Sequence, residues 1–160
     1  MKRKKRELKY LLKAIHLAEK GMKKGEGGPF GCVIVSEGRV IGRGHNRVTS
    51  SNDPTAHAEI VAIRQACKKL KSFQLEGCEI FTSCEPCPMC LGAIYWARPS
   101  AVYFASTKSA AADAGFDDAF IYDELKLIPE GRKIKMFHVP VEKAGEVFEK
   151  WKRMENKVKY

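Results

Sequence analysis

No stretch of the sequence is both long and apolar enough to span a bilayer. The basic start, Met1 to Arg6, resembles the n-region of a secretory signal peptide, but Lys9, Lys13 and His16 interrupt the apolar residues that follow it. Internal repeats and low-complexity linkers are missing as well. With 160 residues, 44% of them hydrophobic, the chain can form one core. We therefore expect one domain over residues 1–160, a cytoplasmic location and no membrane partner.

Acidic residues are scarce, because 19 Asp and Glu stand against 29 Lys and Arg, for a net charge of +10. Residues 1–13 contain seven basic residues and one acidic residue, and residues 143–160 contain six and three, which leaves only +1 for the 129 residues between them. A protein that holds nucleic acid at its active site needs basic residues near that site. We therefore expect no nucleic-acid partner, while an RNA-binding arm at the basic ends stays open as the alternative.

A fourth cysteine is missing near Cys84, Cys87 and Cys90, which argues against an iron–sulfur site, and without a secretory segment the six cysteines do not suggest a disulfide scaffold. A catalytic zinc ion takes three protein ligands and keeps a fourth position for water. His57, Cys87 and Cys90 supply that number, so we predict one Zn²⁺ per chain. Glu59 is then the proton carrier. His-x-Glu followed by Pro-Cys-x-x-Cys is the signature of zinc-dependent nucleobase deaminases.

Hydrophobic periodicity predicts strands that alternate with helices. A helix is expected to open at Asp53 and Pro54, which places His57 and Glu59 in its first turn. The complete expected order is helix 6–24, hairpin strands 30–36 and 39–44, helix to residue 70, strand 78–83, helix to residue 97, strand 100–106, helix 119–125, strand 133–139 and helix 144–160. This order predicts an α/β fold, a three-layer α/β/α sandwich whose five-stranded mixed sheet has helices on both faces.

The predicted site implies hydrolysis. Zinc lowers the pKa of a bound water molecule to about 7, so hydroxide is available near neutral pH. We expect the hydroxide to attack a ring carbon that bears an amine, while Glu59 shuttles protons and ammonia leaves. A structural zinc module is the non-enzyme alternative, and it predicts that a Glu59→Gln variant keeps its full function.

The chain resembles the cytidine deaminase-like zinc deaminases and, within them, the bacterial guanine deaminases. The resemblance covers nearly all of the sequence from Gly27 to Tyr122. Tyr95–Arg98 and Ala114–Asp118 favour guanine deaminases, because the other matching segments are shared with tRNA adenosine deaminases and cytosine deaminases. Those shared segments are Gly27–Gly31, Asn52–Glu59 and the remainder of Thr82–Pro99.

The resemblance implies roles for residues outside the zinc motif. Asn46 would hydrogen-bond the purine, and Asp118 would recognise the guanine edge or assist proton transfer to the leaving amine. Phe30 and Trp96 would form apolar walls of the pocket. Tyr160 would close the pocket of a second subunit.

The resemblance also implies a cytidine deaminase-like fold and a homodimer in which the C-terminal helical segment, residues 140–160, is exchanged between subunits. The expected function is zinc-dependent hydrolytic deamination of a small purine, guanine, to xanthine and ammonia. The alternative is a tRNA adenosine deaminase or another nucleobase or nucleoside deaminase of the same fold.

Overall fold

A mixed β-sheet with helices packed on it forms the main part of the computed structural model, which describes residues 2–160 and the side chains from residue 4 onward. The predicted basic start lies partly outside this description, at Met1 and at the side chains of Lys2 and Arg3. The strands are β1 Gly31–Ser36, β2 Arg39–His45, β3 Glu79–Cys84 and β4 Ala101–Ser106. The helices are α1 Lys2–Lys23, α2 Val48–Ser51, α3 Ala58–Leu70, α4 Pro88–Ala97, α5 Lys108–Asp113, α6 Ala119–Lys126 and α7 Glu142–Arg153, with a 3₁₀ turn at Pro129–Gly131.

The sheet has the strand order β2-β1-β3-β4. The hairpin pair β1–β2 and the pair β1–β3 are antiparallel, whereas β3 and β4 are parallel. The parallel pair is connected through α4, as a crossover requires. Parallel pairing brings the carboxyl ends of β3 and β4 to the same edge of the sheet, and the residues that follow both strands meet there.

The two faces of the sheet bury two separate sets of side chains, because successive residues of a strand point to opposite faces. Cys32 and Ile34 of β1 pack with α3 and α4, while Val33 and Val35 pack with α1. On the α1 face, Tyr10 and Phe81 lie with ring centroids 5.0 Å apart, and Phe81 stacks on Tyr103 at 4.7 Å. Helices therefore cover both faces of the sheet, as predicted.

Helix α3 lies with its backbone directly on β2. A Cβ atom on Gly44 would lie 2.1 Å from the carbonyl oxygen of Ala58, and one on Gly42 would lie 2.5 Å from that of Ala62. Ala58, Ala62 and Ala66 are fully buried on the helix face that meets the sheet. Small residues on both sides thus set the distance between the helix and the strand.

The prediction of a fifth strand over residues 133–139 is wrong. The sheet has four strands, and this segment is irregular. Its apolar side chains are exposed, with Ile134 at 80%, Phe137 at 85% and Val139 at 72%. The sequence has the composition of a strand, but a strand also needs a neighbour with which to exchange backbone hydrogen bonds, and composition does not supply one.

The chain divides into two compact units, residues 1–118 and residues 119–160. The first unit contains the sheet and α1 to α5. The second contains α6, the 3₁₀ turn and α7, with several large apolar side chains exposed, among them Val147, Phe148 and Trp151 of α7. In the part of the chain that the structure describes, no helix combines the length and the apolarity needed to cross a membrane.

Candidate active site

His57 precedes α3 rather than lying within its first turn. The helix begins at Ala58, and His57 is its N-cap residue with an extended backbone. The prediction that Asp53 and Pro54 open the helix is wrong, because the Asp53 carboxylate instead accepts hydrogen bonds from the Thr55 backbone N–H at 2.8 Å and hydroxyl at 2.7 Å. Such local bonds stabilise a turn that competes with the helix. The turn leaves the His57 side chain at the helix end, beside Glu59.

Cys87 and Cys90 lie at the start of α4. Cys87 is the N-cap residue, and Pro88 occupies the first turn, where a missing N–H costs nothing. The Cys87 Sγ accepts a hydrogen bond from the backbone N–H of Cys90 at 3.5 Å. Two helix N-termini, those of α3 and α4, therefore converge on one group of side chains.

His57, Cys87 and Cys90 have the spacing of a zinc site. The His57 Nδ1 lies 3.5 Å from each of the two Sγ atoms, and all three donor atoms fall within 4.8 Å of one another. Tetrahedral zinc with its usual bonds to sulfur and nitrogen keeps such a pair of ligand atoms about 3.5 Å apart. The donor set and its spacing thus fit zinc, and the prediction of a zinc site at these residues is confirmed.

The Cys87 sulfur carries the negative charge that favours binding of a cation, while His57 and Cys90 hold protons that a bound metal ion would displace. Hydrogen bonds from Cys90 and His57 lower the pKa of Cys87 to about 4, so that this sulfur is a thiolate. The hydrogen bond with Cys87 raises the pKa of His57, and the neighbouring thiolate raises the pKa of Cys90. A thiolate is the form of cysteine that binds metals.

Glu59 is buried next to this group, with 6% of its surface exposed. Its Oε1 accepts a hydrogen bond from the Thr82 hydroxyl at 3.1 Å, and its Oε2 accepts one from the Cys90 thiol at 3.5 Å. Burial raises the pKa of Glu59 above its ordinary value. A raised pKa makes it easier for a carboxylate to take up a proton and return it, which is the property that a general acid–base residue needs.

Asn46 is held in one orientation at the end of β2. Its backbone N–H donates to the carbonyl oxygen of Phe30 at 3.0 Å. Its Oδ1 accepts hydrogen bonds from the backbone N–H groups of Gly28 at 3.3 Å and Val48 at 3.1 Å. Because the oxygen is occupied in this way, the Nδ2 amide is the group that can donate hydrogen bonds to a ligand.

A cavity of about 200 Å³ opens over these groups. The ring of Phe30 meets that of Phe116 edge to face, with centroids 5.0 Å apart. Asp118 also lines the cavity, and partial burial, followed by the negative charge of Cys87, raises its pKa. The lining residues are Phe30, Asn46, His57, Glu59, Cys84, Glu85, Cys87, Lys108, Ala111, Phe116, Asp117 and Asp118.

The structure brings most of the predicted site residues together, but two of them, Trp96 and Tyr160, are not among the described residues that line the cavity. Trp96 lies on α4 with 64% of its surface exposed, and it does not line the cavity of its own chain as the described residues form it. Tyr160 belongs to the second unit and is 71% exposed. The expected roles of Trp96 and Tyr160 remain predictions.

Sequence reasoning missed several residues of the cavity wall, including Glu85, Lys108 and Ala111. The backbone N–H of Glu85 donates to the Ser106 carbonyl at 2.9 Å, and the Glu85 carboxylate accepts from the Lys108 N–H at 3.1 Å. These contacts follow from the parallel pairing of β3 and β4, which brings the segments after both strands together. The predicted parallel crossover was the signal that could have identified them.

Comparison with known proteins agrees with this geometry. Residues 4–106 match the family model for the zinc-binding region of cytidine and deoxycytidylate deaminases. Guanine deaminase of Bacillus subtilis is 53% identical over 151 residues, which cover 94% of this chain and 97% of that protein. Its crystal structure superposes with a TM-score of 0.93 over 95% of this chain and 97% of that chain.

The tRNA-specific adenosine deaminase of Aquifex aeolicus is a more distant relative. It is 38% identical over 152 residues, covering 93% of this chain and 97% of that protein. The match to the family model, the zinc-ligand geometry and the full-length similarity to the Bacillus subtilis protein all lead to one assignment. The chain belongs to the cytidine and deoxycytidylate deaminase zinc-binding family, as a homologue of bacterial guanine deaminase.

Proposed function

We propose that the protein is a zinc-dependent aminohydrolase that converts guanine and water to xanthine and ammonia. The observation that carries the proposal is the buried Glu59 carboxylate beside the His57–Cys87–Cys90 group, in a cavity that also presents an oriented amide. The relative with 53% identity is a guanine deaminase, which supports the choice of base.

His57, Cys87 and Cys90 would hold the zinc ion. When bound there, zinc would lower the pKa of water and so supply a nucleophile near neutral pH. Glu59 accepts the first proton of the attacking water and delivers it to the ring nitrogen beside the attacked carbon. It then carries the proton of the new hydroxyl group to the amine, so that the C–N bond breaks, ammonia leaves and the carbonyl group of xanthine forms. The hydrogen bond from the Thr82 hydroxyl fixes one carboxylate oxygen while this occurs.

Asn46 offers hydrogen-bond donors and Asp118 offers hydrogen-bond acceptors, and guanine carries both acceptor and donor atoms at its edge. The Nδ2 amide of Asn46 donates to an acceptor atom of the purine, such as its carbonyl oxygen or a ring nitrogen. The Asp118 carboxylate accepts from the ring N–H and amine, or it assists the proton transfer to the leaving amine. Adenine lacks the carbonyl group and the N–H beside it, so the same pair of side chains fits adenine less well.

Phe30 and Phe116 form one apolar wall for the flat ring. The cavity of about 200 Å³ is smaller than the roughly 300–1,000 Å³ typical of drug-sized ligands, which favours a free base over a nucleoside.

The charge of the cavity wall favours a free base over RNA. Among the described lining residues, four carboxylates, Glu59, Glu85, Asp117 and Asp118, face one lysine. A polyphosphate such as RNA is bound through basic residues, so this wall disfavours RNA.

The deciding experiment incubates the zinc-replete protein with guanine and measures ammonia and xanthine. The expected result is equal amounts of both products, at a rate that changes little with salt concentration. Absence of ammonia release from guanine would overturn the proposal. Deamination of adenosine in a tRNA anticodon stem-loop, falling steeply as salt rises, would instead establish the tRNA deaminase alternative.

We also propose a homodimer in which residues 140–160 are exchanged and in which Tyr160 completes the partner's pocket. Exposed apolar surface on this scale marks a surface that another molecule covers. It includes Ile134, Phe137, Val147, Phe148 and Trp151 of the second unit, together with Tyr95 and Trp96 of α4. None of the six cysteines, all of which lie in the described residues, forms a disulfide bond, which fits a reducing compartment such as the cytoplasm.

A further inference from the structure

The loop before β1 and the end of β2 are joined by contacts that lie outside the cavity. The His45 Nε2 pairs with the Glu26 carboxylate, and both side chains are mostly buried, at 14% and 32% exposure. His45 directly precedes Asn46, and Glu26 directly precedes the Gly27–Gly28 pair. This contact therefore ties together the two segments whose hydrogen bonds orient Asn46.

Two glycines, Gly21 and Gly27, leave the space that this arrangement needs. A Cβ on Gly21 of α1 would lie 2.4 Å from the His45 Cδ2, so glycine allows the imidazole to lie against the helix. A Cβ on Gly27 would lie 2.2 Å from the Asn46 Oδ1 and 2.5 Å from the Asn46 carbonyl oxygen. Any larger residue at position 27 must therefore move the Asn46 amide or its backbone.

Backbone hydrogen bonds hold the Glu26 end of the pair. The Glu26 N–H donates to the Gly21 carbonyl at 3.1 Å, and the Glu26 carbonyl accepts from the Ser50 N–H at 3.2 Å. Glu26 is thereby fixed to the end of α1 and to α2. From this fixed backbone position its carboxylate contacts His45, and through His45 the strand end that carries Asn46.

We propose that Glu26, His45 and Gly27 are positioning residues that keep the Asn46 oxygen on the Gly28 and Val48 amides, so that Asn46 offers the substrate only N–H donors. Without this clamp the carboxamide could rotate by half a turn and present its oxygen to the cavity. An oxygen facing the carbonyl group of a purine repels it. The clamp thus selects bases that carry an acceptor at this position, and this inference deepens the proposed function on which it rests.

A mutant cycle in guanine turnover tests the clamp, with Glu26→Ala, Asn46→Ala and the double variant. Glu26→Ala is expected to lower kcat/KM about 10-fold, mainly through a higher KM, because the amide contact is made when the base binds. In the Asn46→Ala background the same change is expected to have less than about a 2-fold effect, because the group that it positions is gone. Glu26→Gln, which keeps an acceptor for His45, is expected to recover most of the loss.

A second measurement does not depend on turnover. The side-chain amide signals of Asn46 in a ¹⁵N–¹H spectrum are identified by their loss in Asn46→Ala. They are expected to shift or broaden in Glu26→Ala and in Gly27→Ala, but not in Gly145→Ala, whose added methyl group has no neighbour within 4 Å.

Equal losses of kcat/KM in both backgrounds, or unchanged Asn46 signals in Glu26→Ala and Gly27→Ala, would overturn the clamp. If the wild-type protein does not deaminate guanine, the proposed function fails, and the amide spectrum alone decides for or against the clamp.

Discussion

Glu59 is the side chain on which the chemistry depends, because its carboxylate is buried beside the zinc ligands and already accepts a hydrogen bond from Thr82. Gln at this position keeps the size and one acceptor oxygen but cannot carry a proton. We expect Glu59→Gln to retain about one zinc ion per chain and to lose turnover by about 10²–10⁴-fold. Metal analysis by mass spectrometry and an ammonia assay measure the two effects on the same sample.

Glu76→Gln, a change of an exposed loop carboxylate, is the matched control, and we expect it to leave both values unchanged. Turnover of Glu59→Gln within a few-fold of the wild type would contradict the catalytic role. That result would favour the structural zinc module.

At the residue scale, the sequence alone predicts the parts of the site that are local in the chain. His57 and Glu59 are two residues apart, and Cys87 and Cys90 are three apart, so local geometry already places each pair near the other. Phe116 and Lys108 enter the cavity only through the packing of distant segments, which no spacing rule specifies. The prediction that a helix starts at Asp53 is wrong because a short polar residue can stabilise either a helix cap or a turn, and tertiary contacts decide between the two.

At the scale of elements, α3 depends on glycines in the neighbouring strand. Gly44→Ala places a methyl group against the Ala58 carbonyl, at the end of α3 that carries Glu59. We expect a loss of about 1–3 kcal/mol in the free energy of unfolding, because neither backbone can yield without a shift of the helix. We also expect lower turnover, because the shift moves Glu59 away from Cys90. Urea titration and the ammonia assay measure these two effects.

Gly145→Ala in α7 is the control for this change, since its methyl group meets no atom within 4 Å. Alanine is the better helix former, so we expect this variant to be as stable as the wild type or more stable by up to about 1 kcal/mol. Equal stability of the Gly44→Ala variant and the wild type would show that α3 can move freely on the sheet.

The four strands and the longer helices α1, α3 and α4 of the first unit were predictable because their apolar residues recur with clear periods and glycine or proline separates them, whereas the short helices α2 and α5 were not predicted. Residues 133–139 have the same apolar composition, yet they form no strand. An apolar composition indicates that a segment is buried in the native protein. It does not indicate whether a sheet, a helix or another chain buries it. The exposed Phe137 is consistent with the last of these.

At the scale of the whole molecule, the proposed exchange of C-terminal segments makes each active site a product of two chains. Glu59→Gln and Tyr160→Ala each inactivate or weaken a homodimer. If the two variants are unfolded together and refolded as a mixture, a mixed dimer contains one site with both Glu59 and the partner's intact Tyr160. We therefore expect the mixture to recover turnover, with up to half of the sites of each mixed dimer active.

Separately refolded samples that are combined afterwards are the control, and they should show no recovery while the dimers stay intact. If Tyr160 serves the site of its own chain, no mixture regains activity, because every chain then lacks one of the two residues. Light scattering on the same samples reports whether the protein is dimeric.

The direct contact between α3 and β2 has a consequence for how the sequence can change over time. When side chains set the distance between a helix and a strand, that distance changes with every substitution in the core, because each substitution shifts its neighbours slightly. Here the contact joins peptide groups, whose dimensions are the same in every protein. Substitutions elsewhere in the core can therefore alter stability while the position of Glu59 on the sheet stays constant, as long as Gly42 and Gly44 remain glycine.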